Sequence, residues 1–299
     1  MLESEIADFI SSLLLEKGMS GNTCEAYGRD LRIFDAYLVR RRVADVAAVT
    51  REDIVAFLAN EREKGMTGST RARRTAAIRM FFRYLRERRR IPSNPSDLMD
   101  APKKALVLPR VLSEDEVKRL IEAVAGETPR DLRDRAILET LYGCGLRVSE
   151  LCALQMEDIV AEGELLRILG KGSKERLVPI GGAAGRALTN YLGGGRESLA
   201  HGNLAETHIF LTRLARPFTR QGVFKIIRER AAAVGIAADR ISPHVLRHCF
   251  ASHMLAHGAD IRAIQELLGH ADVGTTQIYT HVDVARFGEI HRLFHPRAE

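Results

Sequence analysis

From Ile6 to Leu85 the large apolar side chains recur three or four positions apart and never alternate, so this stretch can bury them together only as amphipathic helices. Ile6, Phe9, Ile10, Leu13 and Leu14 line a first helix. After a turn at Gly18 and Gly21, a second helix starting at Asn22 or Thr23 carries Tyr27, Leu31, Phe34 and Leu38. Thr50 with Asp53 predicts a capping box ahead of Ile54, Phe57 and Leu58 in a third. A fourth helix, over residues 69–89, buries Ala77, Ile78, Phe81, Phe82 and Leu85.

Another side of that fourth helix is basic. Arg79, Arg83, Arg86 and Arg90 recur at helical spacing, and Arg71 and Arg74 extend the row. Only Glu87 offsets nine arginines between Arg71 and Arg90. Like charges at this spacing cost stability unless an anion meets them, which favours a phosphate-bearing partner over a merely solvated face. The candidate nucleic-acid contacts are Arg71, Arg74, Arg79, Arg83 and Arg86.

Pro92, Pro95, Pro102 and Pro109 then stop helix propagation, which predicts a linker over residues 101–110 between a domain at 1–100 and another at 111–299. A length of 299 residues suits two cores. Ser113 with Glu116 forms a second capping box and opens a helix through Val117, Leu120 and Ile121. Residues 164–169 and 175–180 are short β-type runs flanking Gly170-Lys171-Gly172-Ser173-Lys174, a glycine-rich hairpin turn, and residues 208–212 are a candidate third strand. Helical patterns cover 130–142, 148–154, 183–192, 220–234, 243–256, 261–268 and 282–293. The fold class is therefore mainly α, with a small β-sheet in the second domain.

Lys and Arg number 45 against 39 acidic residues, a formal charge of +6 that favours an anionic partner. No apolar run approaches the roughly 18 residues of a membrane span, and residues 1–10 carry acids without a base, so nothing marks export. Cys24, Cys144, Cys152 and Cys249 are scattered, which fits a reducing cytoplasm. His244, His248, His253 and His257 lack the cysteine or carboxylate that would complete a zinc set, and no metal site is expected.

Ser242-Pro243 joins an N-cap residue to proline at the first helical position, so His244 and Arg247 lie in the opening turns of a helix, where free N–H groups and the positive dipole suit a phosphate. Upstream, glycines break the chain at Gly143 and Gly145 and leave Arg147 at the entrance of the next helix. Downstream, His270 follows Leu267-Leu268-Gly269 nine residues before Tyr279.

Arg147, Lys171, the His244/Arg247 pair, His270 and Tyr279 occur in an order and spacing that resemble the tyrosine recombinases, the lambda-integrase family. The segments around them, residues 145–151, 170–176 and 276–282, look like the bacterial Xer branch, as does the ending His295-Pro296-Arg297-Ala298. The resemblance covers essentially the whole chain. It implies a helical N-terminal core-binding (SAM-like) DNA-binding domain and a mainly helical catalytic domain with a small antiparallel β-sheet.

It also implies a site-specific recombinase that forms a 3'-phosphotyrosyl bond through Tyr279. In that reading Arg147 and Arg247 stabilise charge on the non-bridging oxygens, Lys171 protonates the leaving 5'-oxygen, His244 assists deprotonation of Tyr279, and His270 hydrogen-bonds the phosphate. Glu150 and Lys174 stand one layer back. No cofactor is implied, neither ATP nor a metal. The implied partners are double-stranded DNA with a dif-like recombination site, a XerC-like second recombinase in a heterotetramer, and an FtsK-type DNA translocase. A phage or integron integrase and a DNA-binding accessory protein without turnover remain alternatives at this point.

Overall fold

Three of the first four helices open on a side-chain cap, from Ser20, Thr50 and Thr67. In this computed structural model, which describes residues 1–97, 111–170, 175–203, 205–269 and 281–298, with side chains omitted at 281–285, the four are α1 (Glu3–Leu15), α2 (Gly21–Arg40), α3 (Arg51–Glu63) and α4 (Gly68–Glu87). Thr50 and Asp53 close the expected box reciprocally, Thr50 N donating to Asp53 Oδ2 at 3.1 Å and Asp53 N to Thr50 Oγ1 at 3.2 Å. Ser20 caps α2, which therefore starts slightly earlier than predicted. Phe9, Phe34, Phe57, Phe81 and Phe82 meet edge-on in the core, with centroids 5.1–6.3 Å apart, an arrangement worth about 1 kcal/mol per pair beyond area burial. Leu14 is exposed rather than lining this core.

The chain divides into two units, Met1–Leu108 and Pro109–Glu299, each with its own apolar cluster. The predicted linker at 101–110 lies outside the described residues. The second unit opens with α5 (Glu114–Glu122), capped by the expected Ser113/Glu116 box, and α6 (Pro129–Gly143). Then come α7 (Val148–Ala153), β1 (Ile159–Val160), β2 (Leu165–Leu169), β3 (Glu175–Pro179), α8 (Gly182–Asn190), α9 (Arg196–Ala200), α10 (Arg220–Ala233), α11 (Pro243–Ala256), α12 (Ile261–Leu268) and α13 (His281–Phe294). Residues 136–143 of α6 are all buried, and α5, α8 and α11 pack around it.

The sheet is antiparallel in the order β1-β2-β3, with Leu165 opposite Pro179 and Leu169 opposite Glu175, so the expected hairpin is present. The third strand differs from expectation: it is Ile159–Val160, while residues 208–212 make only isolated bridges. Ile209, Phe210 and Leu211 are all buried without alternation, and their backbone finds other partners, Ile209 N donating to Leu154 O and Leu211 N to Tyr191 Oη. No helix among the described residues is long and apolar enough to cross a membrane.

Candidate active site

The site begins with a turn that only glycine makes comfortably. Gly145 has φ +59°, and a Cβ there would stand 2.6 Å from the Phe250 ring. The turn ends α6 and sets Arg147 at the cap of α7, where its N–H donates to Glu150 Oε2 at 2.7 Å and its Nη1 to Glu150 Oε1 at 2.7 Å.

Glu150 is buried, and a buried carboxylate persists only when its oxygens are matched by donors. Arg176 on β3 meets it with both terminal nitrogens, at 2.9 and 2.8 Å, and Arg247 on α11 brings Nη1 within 3.7 Å. Burial alone would raise the pKa of Glu150, but Arg176 and then Arg147 outweigh it and hold the carboxyl below its ordinary range.

The same three guanidiniums converge on the end of α12. Arg176 Nε donates to Leu267 O at 3.0 Å, Arg247 Nη2 to Leu268 O at 2.5 Å, and Arg147 Nη2 to Gly269 O at 3.3 Å. These carbonyls belong to the helix end that lacks intrahelical donors and carries negative dipole, so the arginines satisfy it directly. Arg247 also donates to Gly145 O at 2.6 Å. Its pKa is lowered to about 10, by burial first and by the charges of Arg147 and Arg176, while Glu150 opposes them. It remains charged at neutral pH.

Three cations surrounding one carboxylate leave a surplus of positive charge. Arg147, with 38% of its side chain exposed, presents it to solvent; Arg247 and Arg176 are far more enclosed. The arrangement is suited to holding an oxyanion with charge-assisted hydrogen bonds. His244 is exposed at the start of α11 and lines an open cleft of about 540 Å³ with Val148, the neighbour of Arg147, and with Arg220, Lys225 and Arg228.

The structure thus brings Arg147 and Arg247 together and sets His244 in the cleft that also borders Val148. Lys171, His270 and Tyr279 lie outside the described residues, as does Lys174. Arg176 is the participant that motif reasoning passed over. Alternation along β3 puts it on the buried face with Val178, and a buried arginine requires an acid partner.

The basic row of α4 is sorted by the fold. Arg74 is not on the exposed face as expected: it is buried and ion-paired with Asp30 and Glu61. Its position explains this, since Arg74 precedes Ile78 and Phe81 by four and seven residues and shares their inward stripe. Arg73 also pairs with Asp30, while Arg88 pairs with Glu16 just past α1 and Arg90 with Glu5 of α1, so four carboxylates from elsewhere in the unit supply about half of the missing counter-charge. Arg83 and Arg86 are exposed and Arg71 and Arg79 half-exposed, none with an ion pair among the described residues.

Apolar side chains of α13 pack on the core of their own unit. Phe287 is buried, Ile290 and Phe294 lie against the same cluster, and Leu293 is exposed. Beyond α13, Arg297 grips the buried Glu139 of α6, and Ala298 O accepts from Gly182 N at 2.8 Å.

Comparison with known proteins follows the same two units. Residues 110–286 match the phage integrase family and residues 6–89 its N-terminal SAM-like domain. The chain is 42% identical to tyrosine recombinase XerD of Listeria monocytogenes serotype 4b over 98% of its own length and 99% of that protein's. It is 43% identical to tyrosine recombinase XerD of Proteus mirabilis, over 98% and 93%. Among solved structures, the Tn1549 transposon integrase in complex with circular intermediate DNA superposes with a TM-score of 0.69 at 18% identity, covering 94% of this chain and 98% of that one, a likeness of fold. The chain belongs to the phage integrase family, as a XerD-like site-specific tyrosine recombinase.

Proposed function

We propose that this recombinase cuts and rejoins duplex DNA at a dif-like site through Tyr279, with Arg147, Lys171, His244, Arg247 and His270 completing the reacting set. The observation that carries the reading is the cluster of three guanidiniums around a single carboxylate, a site built with spare positive charge. In-line attack by the Tyr279 oxygen breaks the bond from phosphorus to the 5'-oxygen and leaves a 3'-phosphotyrosine. His244 takes the phenol proton and Lys171 supplies one to the departing oxygen. Arg147 and Arg247 stabilise the charge that builds on the non-bridging oxygens. Reversal by the 5'-hydroxyl of another strand restores the phosphodiester, so bond energy is conserved and no nucleotide cofactor is consumed.

Exchange between two duplexes needs four strand cuts, and one nucleophile per chain therefore calls for four protomers. Likeness to XerD supports an assembly with a XerC-like second recombinase, activated by an FtsK-type translocase, that resolves chromosome dimers at cell division in the cytoplasm. Four arginines of α4, the exposed Arg83 and Arg86 and the half-exposed Arg71 and Arg79, are proposed to contact DNA phosphates. A duplex nicked beside the cut position traps the covalent step: the wild-type chain is expected to give an adduct stable to denaturant, and Tyr279→Phe to bind the same duplex without one. An adduct from the Phe variant would remove Tyr279 from the nucleophile's role.

A further inference from the structure

The carboxylate of Glu150 has about four acceptor positions, and two guanidiniums and one backbone N–H fill them. Oε1 takes Arg147 Nη1 and Arg176 Nη1, while Oε2 takes the Arg147 N–H and Arg176 Nη2. Arg176 supplies half of these bonds from a position with 5% of its side chain exposed. Arg247 stands just outside this set: its Nη1 is 3.7 Å from Oε2 and donates instead to Gly145 O.

We propose that Arg176 is a positioning residue for strand cleavage: by saturating Glu150 it keeps that carboxylate from drawing Arg147 and Arg247 out of the orientation in which they meet the phosphate. The inference rests on the roles proposed for those two arginines. Its physical basis is the cost of an unsatisfied buried anion, which exceeds that of bending a guanidinium by an ångström or two. Without Arg176, two acceptor positions on Glu150 fall empty, and Arg247 Nη1 is the nearest enclosed cation able to fill one. Moving there takes it from the carbonyls of Gly145 and Leu268 that now aim it. The third bond of Arg176, from Nε to Leu267 O, ties β3 to the end of α12 and resists the same collapse. Arg176 is walled from solvent and does its work through Glu150, so its effect belongs to the rate of cleavage and not to DNA affinity.

The experiment compares wild type with Arg176→Gln, and with Arg247→Ala as calibration, on two nicked duplexes. One carries an ordinary phosphodiester at the cut position and the other a neutral methylphosphonate. Covalent adduct formation is followed at saturating protein, alongside half-site affinity and the melting temperature. On the phosphodiester, Arg176→Gln is expected to slow adduct formation about 100-fold, the scale of a small misplacement of reacting groups, with affinity unchanged within about twofold. On the methylphosphonate, where a non-bridging charge is already absent, the loss relative to wild type is expected to shrink, and the loss for Arg247→Ala is expected to shrink with it. Loss by the same factor on both substrates, loss of affinity in step with rate, or a wild-type rate overturns the proposal. If Arg176→Gln does not fold, Arg176→Lys is scored by the same ratio, since it keeps the charge but not the two-pronged grip. Absence of any adduct from the wild-type chain is a separate result that removes the tyrosine mechanism itself.

Discussion

Arg74 Nε lies 3.3 Å from Asp30 Oδ1, with the arginine 7% and the aspartate 1% exposed. Nine arginines that look alike in sequence are thereby divided into those that hold the N-terminal unit together and those with no ion pair among the described residues. Arg74→Met is expected to lower the stability of that unit by about 3 kcal/mol, because Arg73 and Lys64 still offset Asp30 and Glu61 in part. Arg79→Ala with Arg83→Ala is expected to change stability by less than about 0.5 kcal/mol while lowering the slope of log affinity against log salt by about one unit per lost phosphate contact. Denaturant melts and a salt titration on the same proteins check both. An unchanged slope returns these two arginines to ordinary surface charge.

Glu150→Ala leaves Arg147, Arg176 and Arg247 facing one another without a counter-charge, at an expected cost of about 3–5 kcal/mol. Sulfate then has a vacant place among three cations, and the melting temperature of the variant is expected to rise with sulfate more steeply than that of wild type. The carboxyl is held below its ordinary value, so its contribution is present above that value and fades as pH falls through the depressed one. Wild type is expected to lose this increment in acid, and Glu150→Ala to lack that acid-sensitive step.

Arg297 and Glu139 join the tail to α6, and Glu139 is 3% exposed. Arg297→Ala is expected to cost about 3 kcal/mol by leaving a buried carboxylate alone, and adding Glu139→Gln is expected to recover much of it. Cutting the chain after Arg286 removes Phe287, His291 and His295 from the core together, so a larger fall in melting temperature is expected than for Arg297→Ala. Equal melting of the truncated and intact chains would contradict packing of the tail on its own unit.

His253, His291 and His295 are buried and uncharged, with pKa values lowered chiefly by that burial. Their remaining bonds suit neutral rings: His253 joins Tyr142 Oη at 2.8 Å and Leu112 O at 2.9 Å, and His291 reaches Gly143 O at 2.7 Å. In the unfolded chain these rings take up protons below about 6.5, whereas in the folded chain they resist until lower pH. Stability is therefore full above that value and falls beneath it, by up to about 1.4 kcal/mol per pH unit for each histidine. Melting temperatures from pH 8 down to pH 5.5 are expected to fall only in the lower part, and His291→Gln to flatten the fall.

Much of this architecture is written locally. The Thr50/Asp53 and Ser113/Glu116 boxes, the Ser242-Pro243 start of α11 and the hairpin flanking Gly170 each depend on a few adjacent residues, and each stands where the pattern puts it. Contacts between distant segments are another matter. Nothing near Glu150 announces Arg176, which lies 26 residues away on a strand, and nothing near Arg74 names Asp30, 44 residues upstream. The strand expected at 208–212 gave way to Ile159–Val160 because a short apolar run records burial without recording what its backbone will bond to.

Arg247 is aimed by two oxygens that belong to the main chain, those of Gly145 and Leu268. Every amino acid supplies the same carbonyl, so no codon change at either position deletes the acceptor; it can only be shifted by altering the path of the chain. Position 145 is unforgiving for that reason, since its left-handed turn and the Phe250 ring beneath it exclude a side chain, whereas position 268 is constrained by its buried side chain and not by the oxygen that Arg247 uses. Substitutions at Gly145 would therefore misaim Arg247 in a chain that still folds, whereas substitutions at Leu268 would act first through the core its side chain fills.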